Sequence, residues 1–236
     1  MQRLDKELLS RRLVQSRSQA ESYIKLGSVF VNKKQITKPG FMVDSTDTLS
    51  INSAQYVSRA ALKLASIAEQ FILDFRGKTV LDVGSSTGGF TDYALQHGAT
   101  KVIAVDVGTD QLHPSLHGDP KIELHEKTDI RDFSTDQNID IVVADVSFVS
   151  LRLILPSVAK LVSSNSNLVI MCKPQFEAGR DQINKGVIKN SAIRRQILKD
   201  FETWLTTNGF VILNKADSHV AGTKGNVERF YKLKIN

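Results

Sequence analysis

A glycine-rich turn follows an apolar stretch that is predicted to be a strand over residues 79–84. From Gly84 to Gly89 the sequence is Gly-Ser-Ser-Thr-Gly-Gly, and Phe90 follows it. In open α/β sheets ligands bind at the carboxyl ends of strands, where glycines let the backbone approach the ligand closely. The G-x-x-x-G-G spacing differs from the G-x-G-x-x-G turn that cradles a dinucleotide pyrophosphate. The turn therefore predicts a ligand that lacks a pyrophosphate, with a purely structural turn as the alternative.

Aspartates at the ends of the next two predicted strands add a second feature of a nucleoside site. Asp106 ends the strand after the turn, where its carboxylate can accept hydrogen bonds from ribose hydroxyls, and Asp129 closes the third strand in the same way. A wide glycine turn followed by such acids fits an adenosine ligand without a pyrophosphate, such as S-adenosylmethionine; ordinary strand-ending acids are the alternative. The candidate cofactor-binding residues are Asp82, Gly84, Ser85, Ser86, Thr87, Gly88, Gly89, Phe90, Asp106 and Asp129.

Four further charged residues stand where a cleft would form. Asp145 and Lys173 each end an apolar predicted strand. Paired strands lie about 5 Å apart, so both side chains would emerge beside one cleft if these strands are neighbours. Glu228 begins the final predicted strand, whose start meets the same edge if that strand is antiparallel, and Lys63 lies in an otherwise apolar predicted helix. Taken alone, each of the four is more often a surface charge or a structural ion pair.

The elements that must position these residues follow from an alternation of apolar strands and helical segments. The predicted strands are 79–84, 101–106, 122–128, 139–146, 167–173, 211–217 and 228–235, and the predicted helices are 59–70, 90–97, 151–162 and 190–208. Such alternation predicts βαβ units and an α/β fold with a mostly parallel, Rossmann-like sheet. Only the short connection 218–227 joins the last two strands, so we expect them to form an antiparallel hairpin.

The first quarter of the chain carries most of the excess positive charge. Residues 1–60 contain 10 Lys and Arg residues against 5 acids, whereas the other 176 residues contain 21 against 20. Helically spaced leucines and two short strands predict a small α+β domain over residues 1–51, a linker over 52–58 and a second domain over 59–236. The candidate RNA-contacting residues are Arg3, Arg11, Arg12, Arg17, Lys25, Lys33 and Lys34. Their charge is compatible with a nucleic-acid partner, and a solvated surface is the alternative.

Composition excludes several other classes of protein. The single cysteine, Cys172, excludes an intrachain disulfide and a multi-cysteine metal site, and the five histidines are scattered. The longest apolar runs are far shorter than the roughly 20 residues that span a bilayer, and the charged start differs from a signal peptide. We therefore expect a soluble, cytoplasmic protein with no metal site; the sequence leaves its oligomeric state open.

Five segments are specific enough to be compared with a known family. They are 58–64 (Ser-Arg-Ala-Ala-Leu-Lys-Leu), 82–92, 145–151, 173–177 (Lys-Pro-Gln-Phe-Glu) and 225–228 (Gly-Asn-Val-Glu). Together they resemble the TlyA family of ribosomal RNA 2′-O-methyltransferases, and the resemblance covers nearly the whole chain. It implies an FtsJ-like catalytic domain that uses S-adenosylmethionine, preceded by a small RNA-binding domain of the αL type. The sequence differs at Ala60 and Ala61, where the family usually has glycines.

By this resemblance Lys63, Asp145, Lys173 and Glu228 form the Lys-Asp-Lys-Glu tetrad of FtsJ-like enzymes. A ribose 2′-hydroxyl is a poor nucleophile, so its methylation requires in-line positioning and removal of one proton. Lys173 is the expected base. A free lysine has a pKa near 10.4; burial and a neighbouring cation favour the neutral amine, whereas carboxylates oppose it. The sequence leaves that balance open.

The same resemblance implies the substrate, which is a cytidine of ribosomal RNA, in naked RNA or in a ribosomal subunit. The chain is similar to the shorter members, which favours 23S rRNA, with 16S rRNA as a further target. Two alternatives remain: a membrane-active protein, because the family carries a historical haemolysin label, and a methyltransferase of another substrate class. The basic first domain and the two lysines favour RNA, and the predicted βα core accounts for the apolar residues without a pore.

Overall fold

A computed structural model of the chain describes residues 1–14, 16–25, 27–51, 56–179, 187–188, 190–220 and 226–236. The first domain contains the helices α1 (Leu4–Ser10) and α2 (Arg17–Lys25). Its strands are β1 (Gln2–Arg3), β2 (Val29–Val31), β3 (Lys34–Gln35), β4 (Met42–Val43) and β5 (Leu49–Ile51). β3, β2 and β5 form one antiparallel sheet in that order, and β1 pairs with β4. The α+β prediction for this part of the chain is confirmed.

Gly27 follows α2, and its φ of +73° is the left-handed conformation that glycine adopts without strain. Its backbone N–H donates to the carbonyl of Ile24 at 3.0 Å, which closes the last turn. A Cβ at this position would lie 2.4 Å from the Gln35 side chain. The glycine therefore both stops the helix and lets β3 pack against its end.

The second domain is built on a seven-stranded sheet. Its strands are β6 (Thr79–Val83), β7 (Lys101–Val105), β8 (Ile122–His125), β9 (Ile141–Ala144), β10 (Asn167–Cys172), β11 (Phe210–Asp217) and β12 (Arg229–Ile235). They are arranged in the order β11-β12-β10-β9-β6-β7-β8. β6 to β10 run parallel, whereas β12 is antiparallel to both of its neighbours. The α/β prediction with a final antiparallel strand is confirmed.

Helices on both faces of this sheet complete the core. They are α3 (Arg59–Ala68), α4 (Gly89–Gln96), α5 (Leu151–Lys160), α6 (Pro174–Glu177) and α7 (Ser191–Thr207). One cluster of buried apolar residues includes α3, α4 and the first domain, and the other includes α5 and α7. β9 is buried along its whole length, because parallel strands covered by helices on both faces have no solvent side. Among the described residues, every helix is too short or too polar to cross a membrane.

The third predicted strand is shorter than expected, and this changes the position of Asp129. β8 ends at His125, and the chain turns through Lys127, whose φ is +51°. The backbone N–H of Thr128 then donates to the Asp106 carbonyl at 2.9 Å. Asp129 therefore follows a turn and does not close a strand. The predicted strand 122–128 is longer than β8, because the alternation of apolar residues does not indicate where strand pairing ends.

Tyr56 and Val57 connect the two parts of the chain. The Tyr56 N–H donates to the Tyr23 hydroxyl of α2 at 3.3 Å, and the Val57 N–H donates to Asp92 Oδ2 of α4 at 2.8 Å. The Tyr56 ring is buried and lies 5.5 Å from the Tyr93 ring centroid. The end of the predicted linker is thus packed between α2 and α4. Residues 52–55 lie outside the described residues, and the limits 1–51, 52–58 and 59–236 stay predictions.

Candidate active site

The glycine-rich turn connects β6 to α4. Two of its residues have a left-handed backbone conformation and little space for a side chain. Gly84 has a φ of +79°, and a Cβ there would lie 3.0 Å from the Asp145 carbonyl oxygen. Gly88 has a φ of +82° and precedes the first turn of α4. A Cβ on Gly88 would lie 2.5 Å from the Leu116 side chain. Both glycines are required where the turn packs against the neighbouring segments.

A cleft of about 430 Å³ opens beside this turn, at the carboxyl ends of the parallel strands. Asp106 forms part of its wall, with Oδ2 accepting from the Ser86 N–H at 2.8 Å and Oδ1 from the Gly108 N–H at 2.7 Å. A carboxylate has about four lone-pair positions, so two remain for a ligand. The backbone thus holds Asp106 in a fixed orientation, as a ribose-binding residue requires.

Asp129 lies on the same wall, but its carboxylate is already paired. Arg131 donates from Nε to Oδ1 at 2.9 Å and from Nη2 to Oδ2 at 2.6 Å. The hydrogen bonds from the Arg131 side chain lower the pKa of Asp129. This bidentate pair makes Asp129 a less available ligand residue than Asp106.

A smaller adjoining pocket of about 140 Å³ contains buried polar atoms without partners. Asp82, Ser85, Phe90 and Lys173 are among its lining residues. Asp82 is 1% exposed, and its Oδ2 accepts from Thr91 Oγ1 at 2.7 Å. Its Oδ1 and the Ser85 hydroxyl have no hydrogen-bond partner among the described residues.

Unpartnered buried groups of this kind cost stability and are therefore expected where a ligand completes them. Burial raises the pKa of Asp82 to about 7. The two free oxygen atoms fit the ammonium and carboxylate of an amino acid, and the adjoining cleft with Asp106 fits a ribose. The donors and acceptors therefore suit S-adenosylmethionine.

The four tetrad candidates form two lysine–carboxylate pairs at this edge of the sheet. Lys63 Nζ lies 3.0 Å from Glu228 Oε1, with side chains 10% and 3% exposed. Lys173 Nζ lies 2.5 Å from Asp145 Oδ1 and donates to Ser147 Oγ at 2.5 Å. The structure thus brings together all four residues.

Strand register explains why residues so far apart in sequence meet. Cys172 of β10 pairs with Arg229 of the antiparallel β12. Lys173 directly follows β10 and Glu228 directly precedes β12, so the two residues are adjacent at the carboxyl edge. Burial raises the pKa of Glu228 above its usual range; Lys63 opposes this shift, and Asp145 adds to it.

Two residues beside the tetrad were not predicted as site residues. Ser147 contacts Lys173, as described above, and Phe148 is 92% exposed with a φ of +65°. The Phe148 ring lies 5.3 Å from that of Phe176. A large apolar side chain in a left-handed conformation is strained, and such strain is typical of functional segments. The signal was present in the sequence, as a Val-Ser-Phe segment directly after a strand-ending acid.

The candidate RNA-contacting residues divide into internally bound and exposed groups. Asp5 is fully buried and accepts from Arg3 at 2.9 Å and Arg17 at 2.8 Å. Burial alone would raise the pKa of Asp5, but these hydrogen bonds hold it at about 2. Arg11 pairs with Glu7 and donates to the carbonyl oxygens of residues 44, 45 and 47. The exposed group is Arg12, Lys25, Lys33 and Lys34.

Comparison with known proteins matches two separate parts of the chain to two families. Residues 56–234 match the FtsJ-like methyltransferase family, and residues 2–49 match the S4 domain. The chain belongs to the FtsJ-like methyltransferase family. The predictions of a methyltransferase and of a TlyA-type, two-part organisation are thereby confirmed.

Relatives of this FtsJ-like methyltransferase include two curated TlyA proteins. The 16S/23S rRNA (cytidine-2′-O)-methyltransferase TlyA of Mycobacterium tuberculosis is 36% identical over 239 residues, covering 98% of this chain and 89% of the relative. The 23S rRNA (cytidine-2′-O)-methyltransferase TlyA of Campylobacter jejuni is 40% identical over 190 residues, covering 79% and 74%.

Among solved structures, this FtsJ-like methyltransferase resembles a protein of Streptococcus thermophilus that carries a hemolysin designation. The two share 35% identity and a TM-score of 0.75, over 99% of this chain and 88% of the other. The hemolysin designation and the methyltransferase fold thus occur within the same set of similar proteins.

The buried pair Lys63–Glu228 gives a first prediction. Lys63→Met should lower the free energy of unfolding by about 3 kcal/mol, because it leaves the Glu228 carboxylate buried without its cation. Adding Glu228→Gln should recover much of this loss, since a neutral amide costs less to bury. Urea unfolding at pH 7 of both single variants and the double variant measures the coupling.

The matched control for this pair is Lys78→Met. Lys78 is 43% exposed and lies 3.5 Å from Asp140, so its loss should cost less than about 1 kcal/mol. Equal destabilisation by Lys63→Met and Lys78→Met, with no coupling to Glu228→Gln, would contradict a buried, mutually dependent pair.

Proposed function

We propose that this methyltransferase transfers a methyl group from S-adenosylmethionine to the 2′-oxygen of a cytidine in ribosomal RNA. The observation that carries the proposal is the pair of lysine–carboxylate contacts beside the glycine-turn cleft. The names of the two TlyA relatives support cytidine, and both include 23S rRNA. 23S rRNA is therefore the favoured target, and 16S rRNA is the second.

The chain offers a distinct residue for each part of the methyl donor. Asp106 would accept from the ribose hydroxyls, and Asp82 and Ser85 would bind the amino-acid part through their unpartnered atoms. Gly84 and Gly88 let the turn pack against Asp145 and Leu116, which holds it at the edge of the cleft. When bound, S-adenosylmethionine supplies an electrophilic methyl group.

Lys173 is the proposed base for the ribose 2′-hydroxyl. A neutral lysine amine has two N–H bonds and one lone pair. Ser147 Oγ accepts from the nitrogen at 2.5 Å, and Asp145 Oδ1 lies 2.5 Å from it. With the second N–H turned toward Asp145, the lone pair would be directed away from both. It can then accept the proton of the 2′-hydroxyl, whose oxygen becomes the nucleophile.

Lys63 and Glu228 would orient the ribose and set the charge near the reacting atoms. Glu228 Oε1 is bound to Lys63, while its Oε2 has no hydrogen-bond partner among the described residues. A buried free acceptor at this position suits a ribose hydroxyl or an N–H of Lys173. While both lysines are protonated, the two lysines and two carboxylates balance in charge, which lowers the cost of burying the set. Lys173 must release one proton before its lone pair can act as the base.

The exposed Phe148 ring suits the base of the target nucleotide. A ribose within a duplex is difficult to align in line with a methyl donor, so the nucleotide is expected to be unpaired or extruded. An extruded base gains stacking energy on an exposed aromatic ring. Phe148 lies on the cleft wall together with Asp106 and Ser147.

The membrane-active alternative is less well supported than catalysis. Among the described residues, buried oxygens of Asp82 and Ser85, which line the smaller pocket, and of Glu228 in the tetrad have no hydrogen-bond partner. Such atoms destabilise the fold. Proteins retain local costs of this kind at functional sites. These costs are explained by binding and catalysis in the cleft.

The main test replaces Lys173. Lys173→Ala should lower methyl transfer at least roughly 100-fold, the usual minimum contribution of a general base. Lys173→Arg should also fail, because arginine stays protonated and cannot accept the ribose proton. Transfer of radiolabelled methyl groups to ribosomal subunits from cells lacking the enzyme, followed by mapping of the 2′-O-methyl position, measures both activity and target.

Calorimetry provides the control for this test, since S-adenosylmethionine should bind both Lys173 variants about as well as the wild type. Appreciable turnover by Lys173→Arg would exclude Lys173 as the base. Absence of any 2′-O-methyl mark with the wild-type protein on either subunit would exclude the proposed function.

Asp82 gives a pH-dependence prediction for cofactor binding. Its pKa of about 7 is raised by burial, so the fraction that is ionised grows as the pH rises toward 7. The ionised form attracts the ammonium of S-adenosylmethionine. Affinity should therefore rise roughly tenfold from pH 5.5 to pH 7, as measured by calorimetry.

Asp82→Asn is the control for this dependence. It should bind S-adenosylmethionine more weakly and with little change in affinity over the same pH range. A parallel pH dependence in wild type and Asp82→Asn would rule out Asp82 as the titrating contact.

The exposed basic residues give a prediction about RNA binding. The triple variant Arg12→Gln, Lys33→Gln, Lys34→Gln should bind ribosomal RNA more weakly, with a salt dependence shallower by about 2–3 in the slope of log K against log salt. These residues would contact phosphates and position the RNA, without selecting its sequence. Filter binding between 50 and 200 mM salt measures the slope.

A triple variant with the same change in charge serves as the control. It replaces Lys121, Lys160 and Lys199, which are exposed on the second domain, with glutamine. Equal loss of slope in both triple variants would show that net charge alone, and not the first domain, governs binding.

A further inference from the structure

Glu177 is a buried carboxylate that the proposed chemistry does not use. It is the last residue of α6, and its side chain is 1% exposed. Oε2 accepts from Ser150 Oγ at 2.6 Å, and Oε1 accepts from the Leu151 N–H at 2.7 Å. Arg152 Nε lies 3.6 Å from Oε2. All three partners lie at the beginning of α5, on a different segment of the chain.

These contacts join the two segments that carry Asp145 and Lys173. Residues 145–150 connect β9 to α5 and contain Asp145 and Ser147. Residues 173–177 follow β10 and begin with Lys173. The contact between Phe148 and Phe176, at 5.3 Å, joins the same two segments a second time. Glu177 thus anchors the far ends of both segments to each other.

Capping of α5 does not by itself explain a buried acid at this position. Ser150 already caps the helix, because its hydroxyl accepts from the Arg152 N–H at 3.1 Å. Burial raises the pKa of Glu177, and the hydrogen bonds from Ser150 and Leu151 oppose that shift. The carboxylate therefore adds a cross-link between segments to a helix end that has its own cap.

We propose that Glu177 is a positioning residue for methyl transfer, which ties residues 145–150 to residues 173–177 and so holds Asp145 and Ser147 against Lys173 Nζ. This inference rests on the proposed role of Lys173. Glu177 has its own contacts at the start of α5 and acts on the reacting atoms through the two segments. Its loss should misalign the lysine while leaving in place the cofactor contacts of Asp82, Ser85 and Asp106, which lie on other segments.

The experiment compares Glu177→Ala, Glu177→Gln and the wild type in the full-length protein. Glu177→Ala should lower kcat for subunit methylation at least tenfold, while KM for the subunit and the dissociation constant of S-adenosylmethionine stay within about threefold. Glutamine can still accept from the Leu151 N–H and donate to Ser150 Oγ, so Glu177→Gln should recover most of kcat. Ser150→Ala, which removes half of the link, should give an intermediate kcat and is the substitute if Glu177→Ala does not fold.

Asp140→Ala is the matched control. Asp140 also links two segments through a carboxylate, accepting from the Thr79 N–H at 2.9 Å and from Lys78. It directly precedes β9 and contacts the start of β6, so it lies at the opposite edge of the sheet. It should lose stability and keep kcat.

Each outcome of this comparison has a distinct meaning. A normal kcat for Glu177→Ala, or a kcat loss matched by Asp140→Ala, would overturn the positioning role. A Glu177→Ala protein that loses cofactor affinity in proportion to kcat would overturn it as well. If the wild-type protein leaves no 2′-O-methyl mark, the proposed function is wrong, and so is this inference, which rests on it.

Discussion

The register between β10 and β12 is the constraint on which the site depends. Because β12 is antiparallel, its first residues lie at the same edge as the last residues of β10, with Cys172 opposite Arg229. A shift by one residue would turn each side chain of β12 to the other face of the sheet. Glu228 would then leave Lys63, and a lysine would be buried without its carboxylate. The same shift would turn Lys232 and Lys234, which are partly exposed, toward the core that Tyr231 and Leu233 fill. The core and the site are therefore specified together.

The same edge concentrates features that a fold selected for stability alone would lack. Partnerless carboxylate oxygens, a strained Phe148 and two lysines lie around one cleft. The rest of the sheet can support them because its strands are buried and closely paired. Glu177 illustrates how the scaffold supports the site. Beyond the ends of β9 and β10, its buried carboxylate holds residues 145–150 and 173–177 together.

The sequence predicted the structure correctly where residues close together in the chain determine it. Apolar runs predicted every strand of the large sheet, and the glycines predicted the turn after β6. The charges at strand ends predicted that Lys173 and Asp145 would emerge beside one cleft if their strands were neighbours, and the structure adds their contact. Patterns failed where tertiary contacts decide. Arg11 was a candidate for RNA, yet it holds the carbonyls of the 44–47 turn, and Asp129 follows a turn and is paired with Arg131. The glycines and charges of residues 175–189 predict a loop, and the short helix α6 was missed because four residues cannot carry a periodic signal. Residues 180–186 and 189 of this predicted loop lie outside the described residues.

The Lys63–Glu228 contact joins residues 165 positions apart, and this separation determines when the site can form during synthesis and folding. During synthesis the glycine turn, β7 and β9 are all made before β12. A nascent chain can therefore form a sheet and a cleft while Lys63 still lacks its carboxylate. Closing so long a loop has a large entropic cost, and contacts of high sequence separation form slowly. Catalytic competence should accordingly arise in one late step, when the final strand inserts between β10 and β11, with no partly active form before it.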